Sequence, residues 1–228
     1  MKYINVWDLP TRLFHWLLVA AVTGAFVSVK LGGNAMIWHE RFGMAVIALI
    51  AFRLAWGLWG GTYARFLTFF PTPARLRNYL SGRWRGLGHS PIGALSVFAM
   101  LGLFGLQAVL GLFAYDDIAF GGPLVKLVSN DTTQLLTAWH HRLEWVLIAI
   151  VVLHLLALVV YRLRGRKLVG PMIHGRTEIP AEPVAPARRA RWWQLLAAVG
   201  VAALAVWVAS GDWIAPPPPP PAVSAPAW

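Results

Sequence analysis

The stretch that decides the reading is Trp139–His154, WHHRLEWVLIAIVVLH. It reads as one apolar helix with histidines near both ends. His140 and His154 stand 14 positions apart. At about 100° per residue they return to within roughly 40° of one face, about 21 Å apart along the axis. His141, 13 positions before His154, points to nearly the opposite side. Two imidazoles stacked on one face of a membrane-length helix predict two cofactors, one above the other, if other helices bring partners to the same depths.

The composition sets the solvent. Of 228 residues, 58% are hydrophobic and only 13% charged, which excludes an ordinary soluble globule. The absence of cysteine removes disulfides, iron–sulfur clusters and the thioether attachment of c-type haem. Thirteen tryptophans suit membrane–water interfaces. A net charge of +11 raises the question of nucleic acid. The basic residues are segregated by loop, however, so nucleic acid is set aside as a partner and lipid taken as the solvent.

Five apolar segments are long enough to cross about 30 Å of hydrocarbon: Leu13–Val29, Met36–Trp59, Pro91–Phe113, Leu135–Leu163 and Trp192–Trp213. Asp8 is placed to N-cap the first, with Pro10 in its opening turn. A histidine inside that segment and no clear cleavage site favour an uncleaved membrane helix over a signal peptide. Ile179–Ala187 reads as a flexible link, and Pro216–Pro221 as a stiff polyproline spacer in a tail ending at Trp228.

The loops assign sides. Between the second and third segments lie Arg65, Arg75, Arg77, Arg83 and Arg85, with no acid from Arg53 to Pro91. The loop after the fourth is rich in arginine from Arg162 to Arg191, against Glu178 and Glu182. The opposite loops hold Lys30, Glu40 and Arg41, and Asp116, Asp117, Lys126 and Asp131. The positive-inside rule then predicts a cytoplasmic N-terminus and an extracytoplasmic C-terminus.

With sides assigned, the histidines fall into level pairs: His39 with His140 towards the outer face, His15 with His154 towards the inner. Polar side chains within membrane helices are costly and usually functional. A haem iron takes one imidazole on each side of its ring, and filling both axial positions favours electron transfer over oxygen binding. Without thioether links such haems are of the b type, so two haem b groups are expected. Met36, Met44 and Met100 are more simply packing residues than ligands. Arg53, 14 positions after His39, shares its face near the inner end. It either neutralises a haem propionate or snorkels to the headgroups. His89, at the start of the third segment, is too shallow to ligate easily. It reads as an ordinary interfacial residue more readily than as a contact for a quinone or propionate.

These residues resemble the bacterial cytochrome b561 family, including the b-type cytochrome subunits of membrane hydrogenases and other oxidoreductases. The resemblance covers roughly residues 3 to 175. It rests on VWDLPTRLFHW (Val6–Trp16), WHERFG (Trp38–Gly43), FRLAWGLWG (Phe52–Gly60), GHSPIGALS (Gly88–Ser96) and the opening stretch. It implies an all-α integral membrane protein: a four-helix transmembrane di-haem bundle over 1–175 that moves electrons between the quinone pool and a partner. By position, His15, His39, His140 and His154 match the family's axial ligands, the same four that helix geometry selects.

To this core the chain adds a basic proline-containing linker at 176–191, a fifth transmembrane helix at 192–214 and a proline-rich tail at 215–228. The expectation is a respiratory electron-transfer subunit of the bacterial inner membrane rather than a complete enzyme. Quinone or quinol is its diffusible partner, and a c-type cytochrome or oxidoreductase subunit docks on the outer face; self-association is left open. Two alternatives are a stand-alone quinol-dependent reductase of a small oxidant such as superoxide, and a non-redox transporter using the same histidines. Metal carriage predicts acidic co-ligands, and only Glu40 and Glu144 are near.

Overall fold

The computed structural model describes residues 2–179 and 187–214. The expected link at Ile179–Ala187 lies almost wholly outside them, as does the polyproline tail. Five helices are long and apolar enough to cross a membrane: α1 (Leu9–Leu31), α2 (Met36–Trp59), α5 (Pro91–Gly111), α6 (Asn130–Leu163) and α8 (Trp192–Ser210). Short helices α3 (Phe66–Phe69) and α4 (Pro73–Leu80) connect α2 to α5, and α7 (Val169–His174) follows α6. The arginine-rich connections lie at the start of α1, the end of α2, the start of α5 and the end of α6, and mark the basic end of the molecule.

Polar caps explain where the helices begin. Asp8 accepts from the Thr11 amide at 2.9 Å, and Pro10 occupies the first turn, so α1 starts four residues before the apolar run. Ser129 caps α6 by accepting from the Thr132 amide, which carries the helix through the polar NDTTQ turn ahead of Leu135. At 34 residues, α6 is about 51 Å long and outreaches the hydrocarbon layer.

The chain is not purely helical. Strand β1 (Lys2–Asn5) pairs antiparallel with β2 (Arg176–Ile179). The pairing joins segments rich in strand-favouring Tyr, Ile and Thr and closes the basic end. There the Val6 and Trp7 amides both donate to the Gly175 carbonyl, at 2.9 and 3.2 Å. Gly175 sits at φ +83°, and a Cβ there would lie 2.7 Å from the Trp7 carbonyl oxygen, so the turn requires glycine.

One apolar core draws on four spanning helices: Phe14 and Ala21 of α1, Val46 and Ile50 of α2, Leu101 and Phe104 of α5, and Leu147 of α6. Gly24 lets the Phe42 ring rest against α1, since a Cβ there would meet it at 2.6 Å. α6 packs chiefly on α5 and makes little backbone contact with α1 or α2. Its inner face is left to side chains, among them His140 and His154.

α8 lies along α2. Small side chains at Ala198 and Ala209 are buried in that contact and allow close approach. Gln194 donates to the Trp59 carbonyl at 2.8 Å, and the Trp59 indole returns the bond to the Gln194 carbonyl at 3.0 Å. At the basic end α4 is tied to α6 by the Tyr79 and Tyr161 hydroxyls, 2.6 Å apart.

Candidate functional site

At the end opposite the basic loops, His39 in the first turn of α2 faces His140 of α6. Their ring centroids are 6.1 Å apart and the rings stand at 89° to one another. His39 Nδ1 donates to the Ala25 carbonyl of α1 at 2.8 Å, and His140 Nδ1 to the Gln107 carbonyl of α5 at 3.0 Å. A carbonyl can only accept, so each Nδ1 carries the proton and each Nε2 keeps its lone pair, that of His140 with the Gln107 side-chain amide 3.4 Å away. A metal-bound imidazole needs that tautomer, with its second nitrogen anchored to a fixed acceptor. His39 and His140 would be the residues to hold a haem between α2 and α6, and their imidazoles would supply its nitrogen ligands.

The surroundings suit it too. A Cβ on Gly111 would lie 3.0 Å from the His140 ring, so this glycine gives the ring its place. Gly43, one turn after His39, has nothing within 4 Å of the position a Cβ would take, which leaves room for a flat group beside the pair. Gln107 also donates its side-chain amide to the His140 carbonyl at 3.1 Å. Sequence reasoning missed Gln107, although a glutamine inside an otherwise apolar helix was a signal. His141 is exposed, as the helical spacing predicts.

The second pair lies towards the basic end. His15 on α1 and His154 on α6 are both partly buried and stand within electrostatic range of each other. Here the anchoring differs, because His15 Nδ1 is buried without a hydrogen-bond partner. Arg53 lies in the same half of the molecule and does not snorkel. It is only 2% exposed, its guanidinium stacks over the Phe66 ring at 4.6 Å, and one terminal nitrogen is buried without a partner. Gly57 makes that stack feasible, since any Cβ would collide with Phe66. The nearby Asp8 carboxylate is already held by the Thr11 amide and the Trp56 indole. Among the described residues the ion pair formed is Lys30 with Glu144, at the far end.

His89 is less shallow than its place in the sequence suggests. Its ring sits against Trp7 and Phe69, with centroids 4.5 and 4.3 Å away, and Nδ1 is buried without a partner. Burial, reinforced by the Arg53 charge, pushes its imidazole down to about 3, so it is neutral at physiological pH. Among the described residues no group of three or more His, Asp or Glu side chains is gathered to hold a bare metal ion. The histidines are arranged two by two.

A family model described as prokaryotic cytochrome b561 matches residues 6–175. The chain is 25% identical to a "Probable Ni/Fe-hydrogenase B-type cytochrome subunit" of Cupriavidus necator, over 77% of this chain and 87% of that protein. It is 26% identical to the protein of the same name in Azotobacter vinelandii, over 75% and 87%. It is 22% identical to the "Probable Ni/Fe-hydrogenase 1 B-type cytochrome subunit" of Escherichia coli K12, over 65% and 79%. No solved structure gives a significant match. With its spanning helices and the family match covering most of its length, the chain belongs to the prokaryotic cytochrome b561 family.

Proposed function

We propose that the chain is a di-haem b cytochrome of the bacterial inner membrane, carrying electrons between the quinone pool and an extracytoplasmic redox partner. The observation that carries this reading is the His39–His140 pair, whose rings face each other at 6.1 Å with both Nδ1 atoms committed to carbonyls. His39 and His140 would hold one haem through Nε2, and His15 and His154 the other. Haem b with two imidazole ligands supplies one-electron transfer without an open position for oxygen. Arg53, a buried cation with no salt-bridge partner among the described residues, is suited to meet a propionate at the basic end. Residues 1–175 form the cytochrome unit in this reading, to which 192–214 adds a helix.

The arginine-rich loops support a cytoplasmic N-terminus, with the His39–His140 end facing outward. The names of the relatives support a metalloenzyme of the hydrogenase type as the outer partner. The test is a redox-titrated visible spectrum of the purified protein. Two one-electron b-type steps are expected. No b-type absorbance, or one haem per chain in fully loaded protein, rejects the reading.

A further inference from the structure

Two groups of cations meet at the basic end. Arg77, Arg83 and Arg85 lie on and just after α4, and Arg164, Arg166 and Lys167 just after α6; all six are exposed. The groups are far apart in the chain. α4 and α6 make little backbone contact, and the Tyr79 and Tyr161 hydroxyls, 2.6 Å apart, tie them together.

Both helices end in the same way. Gly82 and Gly165 take left-handed φ angles of +71° and +78°, and each is followed by an arginine. The Gly82 and Gly165 amides donate to the Tyr79 and Arg162 carbonyls. The Arg83 and Arg166 amides reach further back, to the Asn78 and Tyr161 carbonyls, both at 2.9 Å. These are the two bonds of a glycine-terminated helix end. They fold Arg83 and Arg166 back towards the tyrosine pair from its two sides. One cation at each helix end would offset the helix dipole, and six are more than that role requires.

No acid in the neighbouring sequence answers them. The chain has no Asp or Glu between Glu40 and Asp116, nor between Glu144 and Glu178. Among the described residues the ion pair formed is Lys30 with Glu144, at the far end. Like charges gathered without a carboxylate repel one another, so the surface favours an anion from outside the chain. The apolar neighbours narrow its nature. Leu80 and Leu163, the last helical residues of α4 and α6, are exposed at 71% and 82%. The Trp84 ring stands edge-on to Tyr79, with centroids 5.9 Å apart. Exposed leucines and a tryptophan beside cations, at the end of a spanning helix, match the boundary between acyl chains and headgroups. A soluble anion would make no use of the leucines.

We propose that this pair of helix ends binds the phosphate of an anionic phospholipid, with Arg83 and Arg166 as its main donors and Leu80 and Leu163 against its acyl chains. Guanidinium forks suit phosphate oxygens. A lipid held in this way joins α4 to the end of α6, which the tyrosine pair alone does in its absence. The site depends on the spanning helices and not on the haems.

The test uses the full-length, haem-loaded protein in phosphatidylcholine vesicles, with spin-labelled phosphatidylglycerol and spin-labelled phosphatidylcholine as probes. The wild type should prefer the anionic lipid, and Arg83→Gln and Arg166→Gln should each lower that preference about fivefold. Tyr79→Phe leaves every charge in place and should also lower it, because the helix ends are no longer tied. Lys126→Gln removes an exposed cation from the far end and should change nothing. No preference in the wild type, an unchanged preference in Tyr79→Phe, or an equal loss in Lys126→Gln overturns the site. Full displacement of the lipid by inorganic phosphate overturns it too, and marks a soluble anion as the ligand. Should the arginine variants lose haem or unfold, a salt titration of the wild type decides. A preference that falls about fivefold or more between about 0.05 and 0.5 M sodium chloride supports the site, and one that stays constant overturns it.

Discussion

The two ends of the molecule handle buried polar atoms differently. At the far end His39 and His140 have their Nδ1 protons fixed by carbonyls of neighbouring helices, and the exposed Lys30 is paired with Glu144 at 2.6 Å. At the basic end the buried side-chain atoms without partners accumulate: Thr11 Oγ1, Arg12 Nε, His15 Nδ1, Arg53 Nη1, Arg65 Nε and His89 Nδ1. Among the described residues, Gln107 Oε1 alone joins that set from the other end. Buried polar groups are normally satisfied, so the far end has its histidine tautomers fixed by the protein in advance, while the basic end keeps several buried polar atoms without a protein partner. In the proposed reading, haem propionates would supply acceptors there.

The contrast can be broken most forcefully at the ligands. His140→Ala and His154→Ala should each remove about half of the haem, because a haem with one axial imidazole lost is held by little else in an apolar bundle. The pyridine-haemochrome ratio of haem to protein measures this. If either variant keeps its full complement, that histidine is not a ligand. Gly111→Val comes next. Its new side chain must enter space held by the His140 ring, a misfit worth about 1–3 kcal/mol. The far-end haem alone should be lost or loosened, which redox titration would show as one altered step beside one normal step. Loss confined to the other step contradicts the pairing.

Arg53 tests the opposite end with a smaller effect. Replacing it with Gln removes a buried positive charge that favours the reduced form of a nearby haem. One midpoint should therefore fall, by about 60 mV if the equilibrium changes tenfold. The far-end midpoint should stay within error. Equal shifts in both steps would mean that Arg53 acts through the overall field and not at one haem.

Much of this was legible in the chain. Long apolar runs announce spanning helices because lipid tolerates no unbonded backbone, and a 14-residue spacing places His140 and His154 on one face without any tertiary knowledge. The helix starts were less legible, since Asp8 and Ser129 set them ahead of the apolar runs. The β1–β2 pairing was hidden because four-residue strands at opposite ends of the cytochrome segment carry no local signal. The sequence left Arg53 open between snorkelling and facing inward. The answer depended on Phe66 and on the small Gly57 beside it, a contact between elements that periodicity does not encode. His89 looked interfacial because depth along the chain says nothing about the aromatic rings that close over it.

The smallest expected effect concerns α8. Ala198 is fully buried against Ala55 and Trp56 of α2, in a cluster separate from His39 and His140. Ala198→Leu overpacks that contact and should cost about 1–3 kcal/mol of docking. The reciprocal Gln194–Trp59 hydrogen bonds should keep α8 in place at reduced stability. Thermal unfolding followed by tryptophan fluorescence should move down by a few degrees, while haem content and both midpoints stay as in the wild type. A drop in haem content would change the comparison itself. It would show that α8, through α2, helps to set the position of His39, and that the ligand-holding unit extends beyond residue 175.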